Sequence, residues 1–165
     1  MNRKARFLGH LIHPMLIVFP LGLLATAVVF DLISLFSGNP LWTGIAFYMI
    51  GAGVVGGLLA AVFGLWDWRT IPSGTRARAV GAWHGLVNVV VVILFVGSWA
   101  LRYDHPLVPG ALALTLSFVA GALAGVGGWL GGELVERLGV GIDPNAGLNA
   151  PGSLSGSRDD RRDAA

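Results

Sequence analysis

Four apolar runs, residues 14–36, 41–66, 80–101 and 107–130, fill most of this chain and are joined by short polar links. A helix needs roughly 20 apolar residues to cross a hydrocarbon core of about 30 Å. Each run meets that length, so the chain is predicted to be an all-α bundle of four transmembrane helices, made of two antiparallel helical hairpins. A mean hydropathy of +0.72 with only 12% charged residues places it in the same class. The four-span membrane domain is expected over residues 1–142, leaving no room for a soluble domain.

Charge placement orients the spans. One end receives Arg3, Lys4, Arg6, Arg69, Arg76, Arg78, Arg137, Arg158, Arg161 and Arg162; the other receives only Arg102. That asymmetry predicts cytoplasmic termini and an inner (plasma) membrane location. Trp42, Trp99 and Tyr103 would mark the outer interface, and Trp66, Trp68, Trp83 and Trp129 the inner one. The first run is too long for a secretory h-region and contains Pro20 and Asp31, so it reads as a signal anchor. The formal net charge is only +2, and no basic face interleaved with aromatics lies outside the spans, which excludes nucleic acid as a partner. The lipid bilayer is the expected one. With no cysteine, this chain can form neither disulfides nor thiolate metal or iron–sulfur sites.

Residues 37–40 and 102–106 read as outer turns, and residues 67–79 as a longer cytoplasmic link. After Gly139 the composition turns to Gly, Asn, Pro, Ser, Asp and Arg, so residues 143–165 are expected to be a disordered cytoplasmic tail. The two hairpins also resemble each other. Pro40-Leu41 and Pro106-Leu107 recur at an offset of 66, as do Asp67 and Glu133, while His13 and His84 are 71 apart. Such a pattern fits a parallel repeat about an axis along the membrane normal, or chance similarity among apolar helices. Small residues recur at Gly53, Gly57, Ala60 and Gly64, and at the same spacing at Gly121, Gly125, Gly128 and Gly132. These stripes are expected to be packing seams inside the bundle, with a homodimer contact or close backbone approach to a flat cofactor as alternatives.

The ionisable residues of the spans gather at the inner end. His13 opens the first span, His84 the third with Asn88 one turn on, Asp67 ends the second, and Glu133 ends the fourth; His10 lies one turn before His13. His13, His84, Asp67 and Glu133 could hold a divalent metal inside a bundle. His13 and His84 alone could ligate a haem b, with Asn88 beside them. Against both stands a structural cluster, with Asp67 and Glu133 paired to Arg69 and Arg137. Asp31 falls about 27 Å along the helix from His13 at 1.5 Å per residue, near the outer surface, where it would pair with Arg102 or cap backbone near Asn39. Pro20 removes the hydrogen bond to the Leu16 carbonyl and is expected to bend the first span.

Taken in order, His13-Pro14, Phe19-Pro20 and Asp31, then Gly64-Leu65-Trp66-Asp67-Trp68, then Arg76 and Arg78 before His84 and Asn88, then Gly131-Gly132-Glu133-Leu134-Val135 and Gly139-Val140-Gly141, the chain resembles domain-of-unknown-function family 2231, predicted bacterial membrane proteins. The resemblance spans residues 8–142. It implies a four-helix membrane domain, and the redox modules joined to some relatives imply electron transfer and a redox partner. Glu133 enters the candidate site by depth alone. The leading expectation is a small membrane component holding haem or metal through His13 and His84. The alternative is a non-catalytic scaffold or accessory subunit whose polar cluster is structural. A transporter is disfavoured because the span centres hold almost no polar groups, and an enzyme because no nucleophile–base pair or phosphate loop is present.

Overall fold

The computed structural model describes residues 5–154. It is an all-helical bundle preceded by one small hairpin. Strands β1 (Arg6–Phe7) and β2 (His10–Leu11) pair antiparallel around Leu8-Gly9, where φ is 49° and 87°. Positive φ at both central residues suits the twist of a two-residue hairpin, and glycine adopts it without cost.

The first span is two helices in line, α1 (Ile12–Leu16) and α2 (Val18–Ser37), interrupted at Ile17. The interruption sits where Pro20 cannot donate to the Leu16 carbonyl, as its position predicts. Helix α3 (Leu41–Thr70) is 30 residues long, about 45 Å at 1.5 Å per residue. It overruns its apolar stretch and carries Asp67, Trp68 and Arg69 in its last turn. Helix α4 (Arg76–Leu101) and helix α5 (Ala111–Gly132) form the second hairpin. Helix α5 starts later than the apolar run because residues 107–110 form a turn. There the Leu107 side chain covers Gly44, and the Leu107 carbonyl accepts the Thr43 hydroxyl at 3.0 Å. A π-helical turn, Glu133–Arg137, ends the span, with the Leu138 N–H donating five residues back to Glu133. All four spans are long and apolar enough to cross a membrane.

Within each hairpin the helices pack closely, α2 on α3 and α4 on α5; the hairpins then meet through α3 with α4 and α2 with α5. This arrangement maps onto itself when the hairpins are exchanged. Burial does the same. Pro20, Leu24, Ala27 and Asp31 of α2 are buried, and so are Val91, Phe95, Ser98 and Arg102, each 71 residues on. Ala46, Ile50, Gly53 and Ala60 of α3 match Ala113, Ser117, Ala120 and Gly127, the four buried residues of α5, each 67 residues on. The repeat therefore extends to the packed faces, at an offset of 67 for the second helix of each hairpin.

The core holds Leu24, Ala27, Ala46, Ile50, Val91, Phe95 and Ala120. The glycine stripe of α3 is a seam that receives the first span: a Cβ built on Gly53 would come within 2.7 Å of Leu24, one on Gly57 within 3.8 Å of Pro20, and one on Gly64 within 2.8 Å of His13. The stripe of α5 behaves differently. Gly121 meets Val28, but Cβ atoms on Gly125, Gly128 and Gly132 would meet nothing within 4 Å. The glycines of α5 that take α4 are Gly127 and Gly131 instead.

Arg78 clips the link between the hairpins. Its guanidinium lies 3.8 Å from the Trp68 ring centroid and donates from Nη1 to the carbonyls of Trp68, Arg69 and Ile71, while the Trp68 indole donates to the Arg78 carbonyl. A planar fork does both tasks at once, which a lysine ammonium cannot. Arg78→Lys should cost about 1–2 kcal/mol, from lost charge-assisted hydrogen bonds and ring stacking. Faster proteolysis between residues 71 and 75 would register it; an unchanged cleavage rate would contradict the clip.

Residues 139–154 run as turns back across the end of the bundle that carries β1 and β2, called the inner end after the orientation expected from charge. Gly141 packs on Leu11, Ser153 on Gly9, and Arg6 lies 3.9 Å from Asp143. Of the segment expected as a tail, residues 143–154 are described here and residues 155–165 lie outside the described residues.

Candidate functional site

Two polar clusters occupy opposite ends of the bundle. At the inner end, α1 and α4 bring His13 and His84 together, with ring centroids 6.4 Å apart and planes crossed at 89°. The His13 Nδ1 lies 2.8 Å from the Ala60 carbonyl of α3, and the His84 Nδ1 lies 2.9 Å from the Gly127 carbonyl of α5. A carbonyl can only accept, so in both rings Nδ1 carries the proton and donates. Each Nε2 is then the basic nitrogen, the arrangement by which proteins orient imidazole ligands.

Glycine makes both contacts possible. A Cβ on Gly64 would come within 2.8 Å of the His13 ring, and one on Gly131 within 3.2 Å of the His84 ring. Ala60 and Gly127 are counterparts, as are Gly64 and Gly131, so each hairpin contributes the same imidazole–carbonyl–glycine unit. Asn88 reinforces the second unit. Its Nδ2 donates to the His84 carbonyl at 2.8 Å, and its side chain fills the space over Gly127.

The other expected members stand differently. The Glu133 carboxylate pairs with Arg76, from the link between the hairpins, rather than with Arg137 four residues on. Arg76 opens α4, so this pair also joins α4 to the end of the fourth span. Asp67 is half-buried one turn beyond Gly64, and its carbonyl accepts the Thr70 hydroxyl at 2.7 Å. Among the described residues no three His, Asp or Glu side chains stand close enough to hold a metal ion. His10 is exposed in β2, with Nε2 3.4 Å from the Ser153 hydroxyl.

At the outer end Asp31 and Arg102 form a two-pronged ion pair, with Nη1 to Oδ1 at 2.7 Å and Nη2 to Oδ2 at 2.8 Å. Both side chains are 0% exposed, so protein alone shelters them. The Ser117 hydroxyl donates to Asp31 at 2.9 Å, and Arg102 Nε donates to the Ser98 hydroxyl at 3.2 Å. Ser98 in turn donates to the Ala113 carbonyl at 2.7 Å. The network joins α2, α4 and α5. Sequence reasoning placed Asp31 with Arg102 but missed both serines. The available signal was a small hydroxyl at the burial period within an otherwise apolar run.

A family model described as "Predicted membrane protein (DUF2231)" matches residues 9–144. No curated protein and no solved structure matches the chain.

Proposed function

The chain belongs to the DUF2231 family of predicted membrane proteins, and from the geometry of its histidine pair we propose that it holds a haem b between His13 and His84 for electron transfer near the cytoplasmic face. The matched pair of imidazoles, each fixed through Nδ1 by a backbone carbonyl, carries this reading. The ring centroids are 6.4 Å apart, near enough that the two imidazoles could serve one bound group. The donor set fits haem better than a bare divalent metal. A b-type haem can be held by two imidazoles alone, whereas a bare divalent ion would need further donors, and no third His, Asp or Glu joins the histidines among the described residues. When bound, the haem would supply a one-electron couple. The carbonyls of Ala60 and Gly127 hold the rings, Asn88 steadies the His84 turn, and Gly64 and Gly131 admit the imidazoles between helices. In this reading Asp67 and Glu133 shape the polar inner rim, where a redox partner would dock.

The positive-inside bias supports an inner-membrane protein with both ends cytoplasmic, and the contact of residues 6–11 with residues 141–153 is consistent with ends on one side. Residues 143–165 would form a cytoplasmic extension of the membrane domain.

A scaffold role is the second reading. It is favoured by the internal satisfaction of the polar groups, with His13 and His84 on carbonyls, Glu133 on Arg76 and Asp31 on Arg102. Spectroscopy separates the two. Protein expressed with excess haem and purified in detergent should show a Soret band that shifts on reduction. His84→Ala should lose that band while still inserting in the membrane. A wild-type sample with neither a Soret band nor stoichiometric metal would retire the cofactor reading in favour of the scaffold.

A further inference from the structure

The two hairpins meet about a common axis, and their facing groups match at the inner end but not at the outer one. Asp31 and Arg102 are counterparts at the same offset as His13 and His84. If the first hairpin (α1–α3) met a copy of itself, Asp31 would face Asp31. A second hairpin meeting its own copy would bring Arg102 against Arg102. Either self-pairing buries two like charges in a space that excludes water, which is strongly unfavourable. Pairing of first with second gives the two-pronged bridge that is observed.

Shape distinguishes the hairpins less sharply than charge does. Eight buried positions of one hairpin recur in the other, and most hold small or aliphatic side chains, with Leu24 against Phe95 and Ile50 against Ser117 as the larger differences. The hydroxyls follow the charge, since Ser98 and Ser117 both stand in the second hairpin, where the first has Ala27 and Ile50. One hairpin thus carries the cation in a polar lining, and the other brings the carboxylate.

We infer that the Asp31–Arg102 pair is a recognition device between the hairpins: the inner face of each is an interaction surface whose fitting partner is a hairpin of opposite buried charge. This selects the closed four-helix chain over self-association through like hairpins. It stands independently of what the histidine pair holds.

The chain contains no cysteine, so one introduced thiol reports contacts cleanly. Ala27, one turn from Asp31 and fully buried, lies in the core that both hairpins share, so a flexible bifunctional thiol cross-linker would join it to its own copy if two first hairpins paired. Full-length Ala27→Cys in detergent should stay monomeric after cross-linking. Adding Asp31→Leu and Arg102→Met removes the charges while keeping an apolar core, and should give a cross-linked dimer and earlier elution on size exclusion. No cross-link and unchanged elution would overturn the inference, because the closed chain would then form without the charge pair. Charge exchange supplies a second comparison, decisive also if the neutral variant does not fold. In the Ala27→Cys background, Asp31→Arg alone makes every pairing like-charged, so charge no longer favours closure and cross-linking should appear; Asp31→Arg with Arg102→Asp should cross-link several-fold less. Equal cross-linking of these two would overturn the inference.

Discussion

Arg102→Met, made alone, should leave a bundle barely able to stay folded in detergent. The substitution keeps most of the side-chain volume but strands the Asp31 carboxylate, which is 0% exposed and would keep only the Ser117 hydroxyl. Removing one partner of a buried pair costs about 3–5 kcal/mol, because the remaining charge has lost water and gained nothing in return. Domains are typically stable by about 5–15 kcal/mol in total, so the loss takes a large share. Asp31→Asn should cost a similar amount, since it leaves the Arg102 cation without a counter-charge and turns one of the two acceptor oxygens towards Arg102 and Ser117 into a donor. A denaturant titration in detergent micelles measures both. Wild-type stability in Arg102→Met would mean that the outer network contributes nothing to holding the bundle.

Adjacent glycines of α5 should respond oppositely to leucine. Gly127 is buried, its carbonyl holds the His84 ring, and a Cβ there would meet Asn88 at 2.9 Å. Gly127→Leu must push α5 off α4 and stretch the imidazole hydrogen bond, with overpacking of this kind costing about 1–3 kcal/mol. If the haem reading holds, haem retention should fall with it. Gly128 meets nothing within 4 Å, and Gly128→Leu should lie within about 0.5 kcal/mol of wild type, as surface changes usually do. The same titration decides it. Equal damage from both would mean that a second copy or another partner covers the Gly128 face, which the structure leaves to lipid.

The spans were legible because crossing a hydrocarbon core demands length and apolarity together, and both are properties of the string. Pro20 announced its break for an equally local reason. The pairing of Asp31 with Arg102 could be anticipated because Arg102 is the one cation expected at the depth of Asp31. What escaped the sequence depended on helix rotation. Along α5, glycines stand at 121, 125, 127, 128, 131 and 132, so periodicity alone cannot say which of two interleaved stripes faces inward. The stripe chosen by spacing points mostly outward, and Gly127 and Gly131 do the packing. Glu133 likewise found Arg76 from another element instead of Arg137 on its own. The small hairpin at Leu8-Gly9 was missed because two-residue strands have too little pattern to read. The inner histidines were expected at one depth, and the structure sets their rings against each other. Their common attachment to backbone carbonyls needed three-dimensional placement.

The meeting of Gly9 with Ser153 and of Arg6 with Asp143 has a topological meaning. The described chain ends where it began, on the same face of the bundle as the link at residues 71–75. Exchanging the hairpins preserves which helices touch, but Asp31 against Arg102, Ala27 against Ser98 and the break at Ile17 still tell the first hairpin from the second. The folded object is a ring of four helices whose wiring is symmetric and whose charges are not.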